Sequence, residues 1–156
     1  MPWTTPRTWT TSQLVTANEL NTDVRDNENY LYDRKNLTEA FQSGTFSMNN
    51  QTYVKAGTID VTLTTIGKPV LLIAELGALR RTSSSDRVVL QWYNDTASQN
   101  VGSEFYCEFD AKTTTVLTAV ETPAPGTYRW FVRWRVTNSL SGGEIENMRL
   151  RAIELM

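Results

Sequence analysis

The sequence predicts an all-β protein: an antiparallel, jelly-roll-like β-sandwich preceded by an extended arm and one short N-terminal α-helix. Three observations carry this. Apolar and polar residues alternate with a period of two from about residue 45 onward, the signature of half-buried strands. Clusters of Gly, Pro, Asn and Ser punctuate the strand-like runs, as turns do. No helical periodicity falls between the runs, so the chain lacks the rhythm of a parallel α/β sheet.

Residues 1–15 read as an extended arm. Pro2 and Pro6 fix φ and disfavour helix around them. Trp3 and Trp9 are large apolar groups on a segment that has little of its own to bury them, so they call for a partner surface. A helix is expected from Thr16. There, Thr16 and Glu19 form a capping box, and Val15 and Leu20 are spaced as a hydrophobic staple. The helical segment is placed at 16–37. Leu20, Val24, Asn27 and Leu31 follow one another at steps of four, three and four, a narrow stripe on one face. Three apolar residues are too few to hold such a helix as a monomer. The stripe fits a coiled-coil seam, in which a polar Asn27 costs stability but fixes register and copy number. The alternative is an amphipathic helix lying on the body of its own chain.

The body is placed at residues 44–156. Ile59, Val61 and Leu63 alternate with polar neighbours. Residues 69–79 form a nearly continuous apolar strand interrupted at Glu75. Strands are then expected at 87–93, 103–109 and 114–120, with exposed polar loops at 83–86 and 95–102. After the turn at 123–126 comes the clearest strand, 127–136. Tyr128, Trp130, Val132, Trp134 and Val136 share one face, and Arg129, Phe131, Arg133 and Arg135 share the other. A turn at 141–143 leads into a last strand over 145–155.

Composition narrows the function classes. Over 156 residues, 40% are hydrophobic and 21% charged, which is ordinary globular usage. The net charge is -2 and the basic residues are scattered, so no nucleic-acid surface is expected. There is no histidine, which removes the commonest general base and zinc ligand. Cys107 is the single cysteine; it reads as a small core hydrophobe. No cofactor or metal site is expected. The N-terminus carries no apolar run or cleavage pattern, so neither a secretory signal nor membrane insertion is expected.

The segment from Arg7 to Leu31, RTWTTSQLVTANELNTDVRDNENYL, resembles one near the N-terminus of many bacteriophage tail-fibre and other virion-surface structural proteins. The shared elements are Trp9, Val15-Thr16-Ala17, Leu20-Asn21, Arg25-Asp26-Asn27 and Leu31. Relatives often carry a Gly between the Trp and the V-T-A step, where this chain has residues 10–14. The runs VTLTTIGKPVLL and PAPGTYRWFVRWRV also look like the β-rich C-terminal region of such proteins. The resemblance implies a particle-bound protein, commonly a homotrimer, made in the host cytoplasm and displayed on the virion surface. Residues 1–15 would then grip another virion protein through Trp3 and Trp9. The body would be a fibre tip or spike touching a host glycan or receptor, or a decoration that reinforces the capsid shell.

Two other classes stay open. An enzyme would need two carboxylates opposed across a substrate, whereas Glu104, Glu108 and Asp110 are neighbours along one run, so no catalytic residue is assigned. A free carbohydrate-binding module would need exposed aromatics. Trp130 and Trp134 alternate with charged residues as core-facing aromatics do; Tyr93, beside Asn94 and Asp95 at a strand end, is the better candidate glycan contact. Glu75, an acid in an apolar strand, needs a partner if it is buried. Arg129, Arg133, Arg135 and Arg80 are the candidates, within or across subunits; otherwise all of them sit on a solvated sheet face.

Overall fold

The computed structural model describes residues 36–82, 87–138 and 142–155, together with Thr16 and Asn18. The arm at 1–15 and the seam residues Leu20, Val24, Asn27 and Leu31 lie outside the described residues, so Trp3 and Trp9 do too.

The body begins with β1 (Leu37–Met48) and continues through β2 (Val54–Lys55), β3 (Val61–Thr65), β4 (Val70–Arg81) and β5 (Val88–Asn94). It ends with β6 (Gln99–Cys107), β7 (Thr113–Glu121), β8 (Gly126–Val136) and β9 (Gly143–Glu154). Leu37, placed by sequence at the end of the helical segment, opens β1, and the expected body boundary at 44 falls inside that strand. The loop expected at 95–102 is shorter than the sequence suggests: the turn occupies 95–98, and β6 begins at Gln99.

The strands form two antiparallel sheets. The back sheet has the order β1-β9-β4-β7 and the front sheet β2-β8-β5-β6, with β3 also paired to β8. Counting β2 and β3 as one interrupted strand, this is the eight-stranded double Greek key of a jelly roll. The β-sandwich expected from the alternation is therefore the fold.

The period of two decides what lies between the sheets. From β8, Trp130, Val132, Trp134 and Val136 point inward, and all four are buried. They meet Val70, Leu72, Ala74 and Leu76 of β4 and Leu150 and Ala152 of β9 in one continuous core. Trp92 is also in this core, its indole N–H donating to the Leu117 carbonyl at 3.2 Å. Cys107 is fully buried, and burial pushes its thiol pKa up, so it is a core hydrophobe as expected. At one end, Glu121 accepts from Trp130 Nε1 at 2.6 Å and from the buried Asn94 Nδ2 at 3.0 Å. These bonds satisfy polar groups that would be costly to bury alone.

One feature of the back sheet is invisible to simple alternation. The inward set of β4 runs 70, 72, 74, 76 and then 79, and that of β9 runs 145 and then 148, 150, 152. Both strands shift parity at one level, where Leu76 faces Met148 and Ala78 faces Glu146. Neighbouring β1 shifts against β9 between Gln42 and Thr45. Asn147 adopts φ 53° and its side chain accepts from Gly44 N at 3.1 Å. A Cβ on Gly77 would stand 2.7 Å from the Glu146 carbonyl oxygen, so only glycine lets β4 pass there. Aligned bulges re-aim side chains. Here they shape a shallow depression of about 380 Å³ on the outer face of the back sheet, lined in part by Phe41, Glu75, Val116 and Arg149.

Candidate functional site

The outward face of the front sheet carries the densest group of side chains suited to recognition. Its residues come from four strands. On β8, Phe131, Arg133 and Arg135 alternate with the core tryptophans and so point out. Cross-strand pairing sets Tyr93 beside Phe131, Gln91 beside Arg133 and Val89 beside Arg135. On the other side, Lys55 faces Arg133, with Tyr53 just before it. Across β6, Tyr106 faces Val89.

Arg133 is the centre of the group. Its guanidinium lies 4.0 Å from the Tyr53 ring centroid and 4.8 Å from that of Tyr93. Nη2 donates to Gln91 Oε1 at 3.1 Å, and Gln91 in turn donates to the Gly102 carbonyl at 3.1 Å. Cation–π contacts on both sides hold the fork in place. Arg133 Nε is buried without a hydrogen-bond partner, and no carboxylate among the described residues pairs with it. The other cations of the face are neutralised. Lys55 pairs with Asp60 at 2.7 Å, Arg87 with Glu108 at 2.7 Å and Arg135 with Glu104 at 3.6 Å.

Glu104 also accepts from the hydroxyls of Tyr106 and Tyr53. The Tyr106 bond first, then the Tyr53 bond, lowers its carboxyl pKa from the ordinary glutamate value. Tyr106 is pushed up by the same bond, and Tyr53 is pushed up by burial and then by Glu104. Hydroxyl donation to a carboxylate favours its charged form. Because the folded pKa is depressed, the linked stabilisation is present above pH 4.5 and is lost as pH falls through the folded value. Replacing Tyr106 with Phe is expected to raise the Glu104 pKa toward its ordinary value. A side-chain carbonyl NMR titration of both proteins checks this, and an unchanged titration contradicts it.

The sequence-chosen residues fall on both sheets. Tyr93 lies on the front face, half-buried, with its ring 5.4 Å from Phe131 and flanked by Arg133. Arg135 lies further along β8, opposite Val89 and over the Tyr53 ring at 5.1 Å, and Arg129 sits near the start of β8, bound through Nε to Asp95 at 2.8 Å. The pairing expected for Glu75 takes a different partner. Glu75 is bound by Arg151 Nη1 at 2.6 Å, and none of Arg129, Arg133, Arg135 or Arg80 reaches it. The cause is topological: Glu75 is on β4 of the back sheet, and the three β8 arginines are on the opposite outer surface. Arg80 pairs instead with Glu144 at 2.6 Å, its cross-strand neighbour on β9. Tyr53, Glu104 and Tyr106 were not singled out as members of a recognition face. Tyr53 precedes a two-residue strand that shows no periodicity, and a bulge between Leu90 and Trp92 sets the β6 register.

Among the described residues, no group of three or more His, Cys, Asp or Glu side chains is placed to hold a metal ion. No helix among them is long and apolar enough to cross a membrane.

No protein-family pattern and no curated protein sequence matches the chain. Solved structures do resemble it in fold. The VP2 subviral particle of infectious bursal disease virus matches with a TM-score of 0.54 at 10% identity, over 78% of this chain and 33% of that one. The EclA C-terminal domain, a sugar-binding protein, gives a TM-score of 0.48 at 13% identity, over 70% of this chain and 78% of that one. The carbohydrate-binding module CBM36, in complex with calcium and xylotriose, gives 0.35 at 16% identity, over 71% and 97%. At these identities the likeness to the viral protein concerns the fold alone, and the chain corresponds to a third of its length.

Proposed function

We propose that this chain is a non-enzymatic structural protein of a bacteriophage particle, a trimeric tail-fibre or spike-type protein on the virion surface. Residues 1–15 grip another virion protein through Trp3 and Trp9, and Leu20, Val24, Asn27 and Leu31 form the seam that sets copy number. The body is the outward part. The observation that carries this reading is the segment from Trp9 to Leu31, with its V-T-A, L-N and R-D-N steps, followed along the chain by a jelly roll. That architecture serves both viral shells and lectins.

The described chemistry supports a non-catalytic role. A glycosidase acid needs a raised pKa and a facing carboxylate. Glu104 is instead shifted the other way, its carboxyl lowered from the ordinary glutamate value by two tyrosine hydroxyls. Glu108 is bound to Arg87 at 2.7 Å and Asp110 to Arg81 at 2.8 Å. The front face, rich in Tyr and Arg, has the composition of binding hot spots. In the proposed role it offers Tyr93, Tyr106 and Arg133 to a glycan on the host surface. The same face favours a second reading, a free carbohydrate-binding module. Glycan-array binding by the chain lacking residues 1–15, together with absence of the full chain from particles, would favour that reading.

Deleting residues 1–15 is expected to abolish incorporation into particles while leaving a folded oligomer. Immunoblots of purified particles, with light scattering on the deleted chain, read both effects. Normal incorporation of the deleted chain would remove the anchoring role.

A further inference from the structure

The outer face of the back sheet carries an apolar surface that the proposed glycan contact does not use. Register places Leu37, Ile153, Leu71 and Val120 in one row across all four strands. Four residues along, Phe41, Arg149, Glu75 and Val116 form a parallel row. Leu37, Phe41, Val116 and Val120 are each more than half exposed, at 51, 54, 55 and 56%. On the front sheet's strands, the one comparably exposed large hydrophobic side chain among the described residues is Tyr106, at 47%, and it has a hydroxyl for water. Four large aliphatic or aromatic groups left open on one sheet face mark an interaction surface rather than scattered exposure.

A charge network joins the second row to Glu39 and Arg151, which lie between the two. Arg151 binds Glu75 through Nη1 and Glu39 through Nε, each at 2.6 Å, and Arg149 approaches Glu39 at 4.0 Å. Arg151 holds the Glu39 carboxyl below the usual range. Two acids and two arginines cancel, so the face presents no net field that would repel an identical face. The depression beside Phe41 and Val116 offers room of about 380 Å³ for an apolar side chain arriving from outside. The chain outside the described body also bears on the occupant. Leu37, the first body residue, belongs to the apolar row, and it follows the segment whose seam is expected to gather copies.

We propose that the outer face of the back sheet, centred on Leu37, Phe41, Val116 and Val120, is a docking surface for a second copy of this chain, adding a body-to-body contact to the helix seam. It rests on the oligomeric part of the proposed function. The test is made on the full chain, by light scattering over a dilution series, with a variant carrying Leu37→Lys and Val120→Lys. Both side chains are exposed in the single body, so the fold tolerates the change. The oligomer of the variant is expected to dissociate at a concentration about tenfold higher or more. A second measurement does not depend on that variant. A nitroxide on Val116→Cys is expected to lose water accessibility and show spin–spin broadening in the oligomer, and one on Thr62→Cys of β3 to show neither. An oligomer with unchanged dissociation and a freely accessible Val116 probe overturns the docking surface but leaves the seam standing. A chain that is monomeric at every concentration overturns both.

Discussion

Trp130→Ala is expected to cost about 3–5 kcal/mol of folding stability, and its neighbour Phe131→Ala far less. Trp130 is fully buried in the core, and truncation removes its packing and leaves a cavity that the close-packed sheets only partly collapse around. It also removes the indole N–H that donates to Glu121 at 2.6 Å. A domain of this kind has about 5–15 kcal/mol in total, so Tm should fall by on the order of 10–20 °C. Trp130→Phe separates the two parts: it keeps most of the volume, and loss of the hydrogen bond alone should cost about 1 kcal/mol. Phe131 points the other way, half-buried against Tyr93 and Lys55 on the outer face. Urea denaturation of the three variants reads these differences. Equal costs at positions 130 and 131 would mean that β8 does not sit with its odd residues outward.

The combined change Leu20→Asp and Val24→Asp is expected to convert the proposed trimer into folded single chains. An aspartate at a seam position must either be buried unpaired or hold the helices apart, and burial of an unpaired charge costs several kcal/mol. With two such sites per helix, three helices bring six carboxylates toward one axis, where their mutual repulsion adds to the penalty. The body keeps its own core of buried side chains from residues 56–152, so circular dichroism should show an unchanged β spectrum. Light scattering should show the mass of one chain at micromolar concentration. Body-to-body contact through the back sheet is an added term and does not by itself hold the copies at that dilution. A trimer that persists in this variant would move the whole of the association onto the body.

Legibility in the sequence followed the strength of local alternation. β8 was legible residue by residue, because five apolar side chains at steps of two, broken only by Arg and Phe, leave one sheet orientation open. β4 was legible as a buried strand from its apolar run. β1 was not, since LTEAFQSGTFSM has its outward positions filled by Leu37 and Phe41 as well as by Glu39. Its alternation is therefore blurred by the exposed apolar surface described above. The aligned bulges at Gly44, Gly77 and Asn147 depend on three strands meeting at one level, and no single strand records that. The partner of Glu75 was misplaced for a related reason. Sequence shows which residues of a strand share a face, but not which sheet the strand joins. Glu75 and Arg151 meet because β4 and β9 are neighbours, although they are far apart along the chain. The candidate face was legible in half: Tyr93, Arg133 and Arg135 came from strong strands, whereas Tyr53 precedes a two-residue strand and Glu104 and Tyr106 came from a bulged one.

The central claim, that this chain is built into a phage particle, is tested most directly by quantitative peptide mass spectrometry of particles purified by density from cultures that carry its gene. Peptides of this chain are expected in particles at a fixed stoichiometry of three per attachment site, retained after the particles are washed. Peptides found in the lysate but absent from washed particles would contradict it.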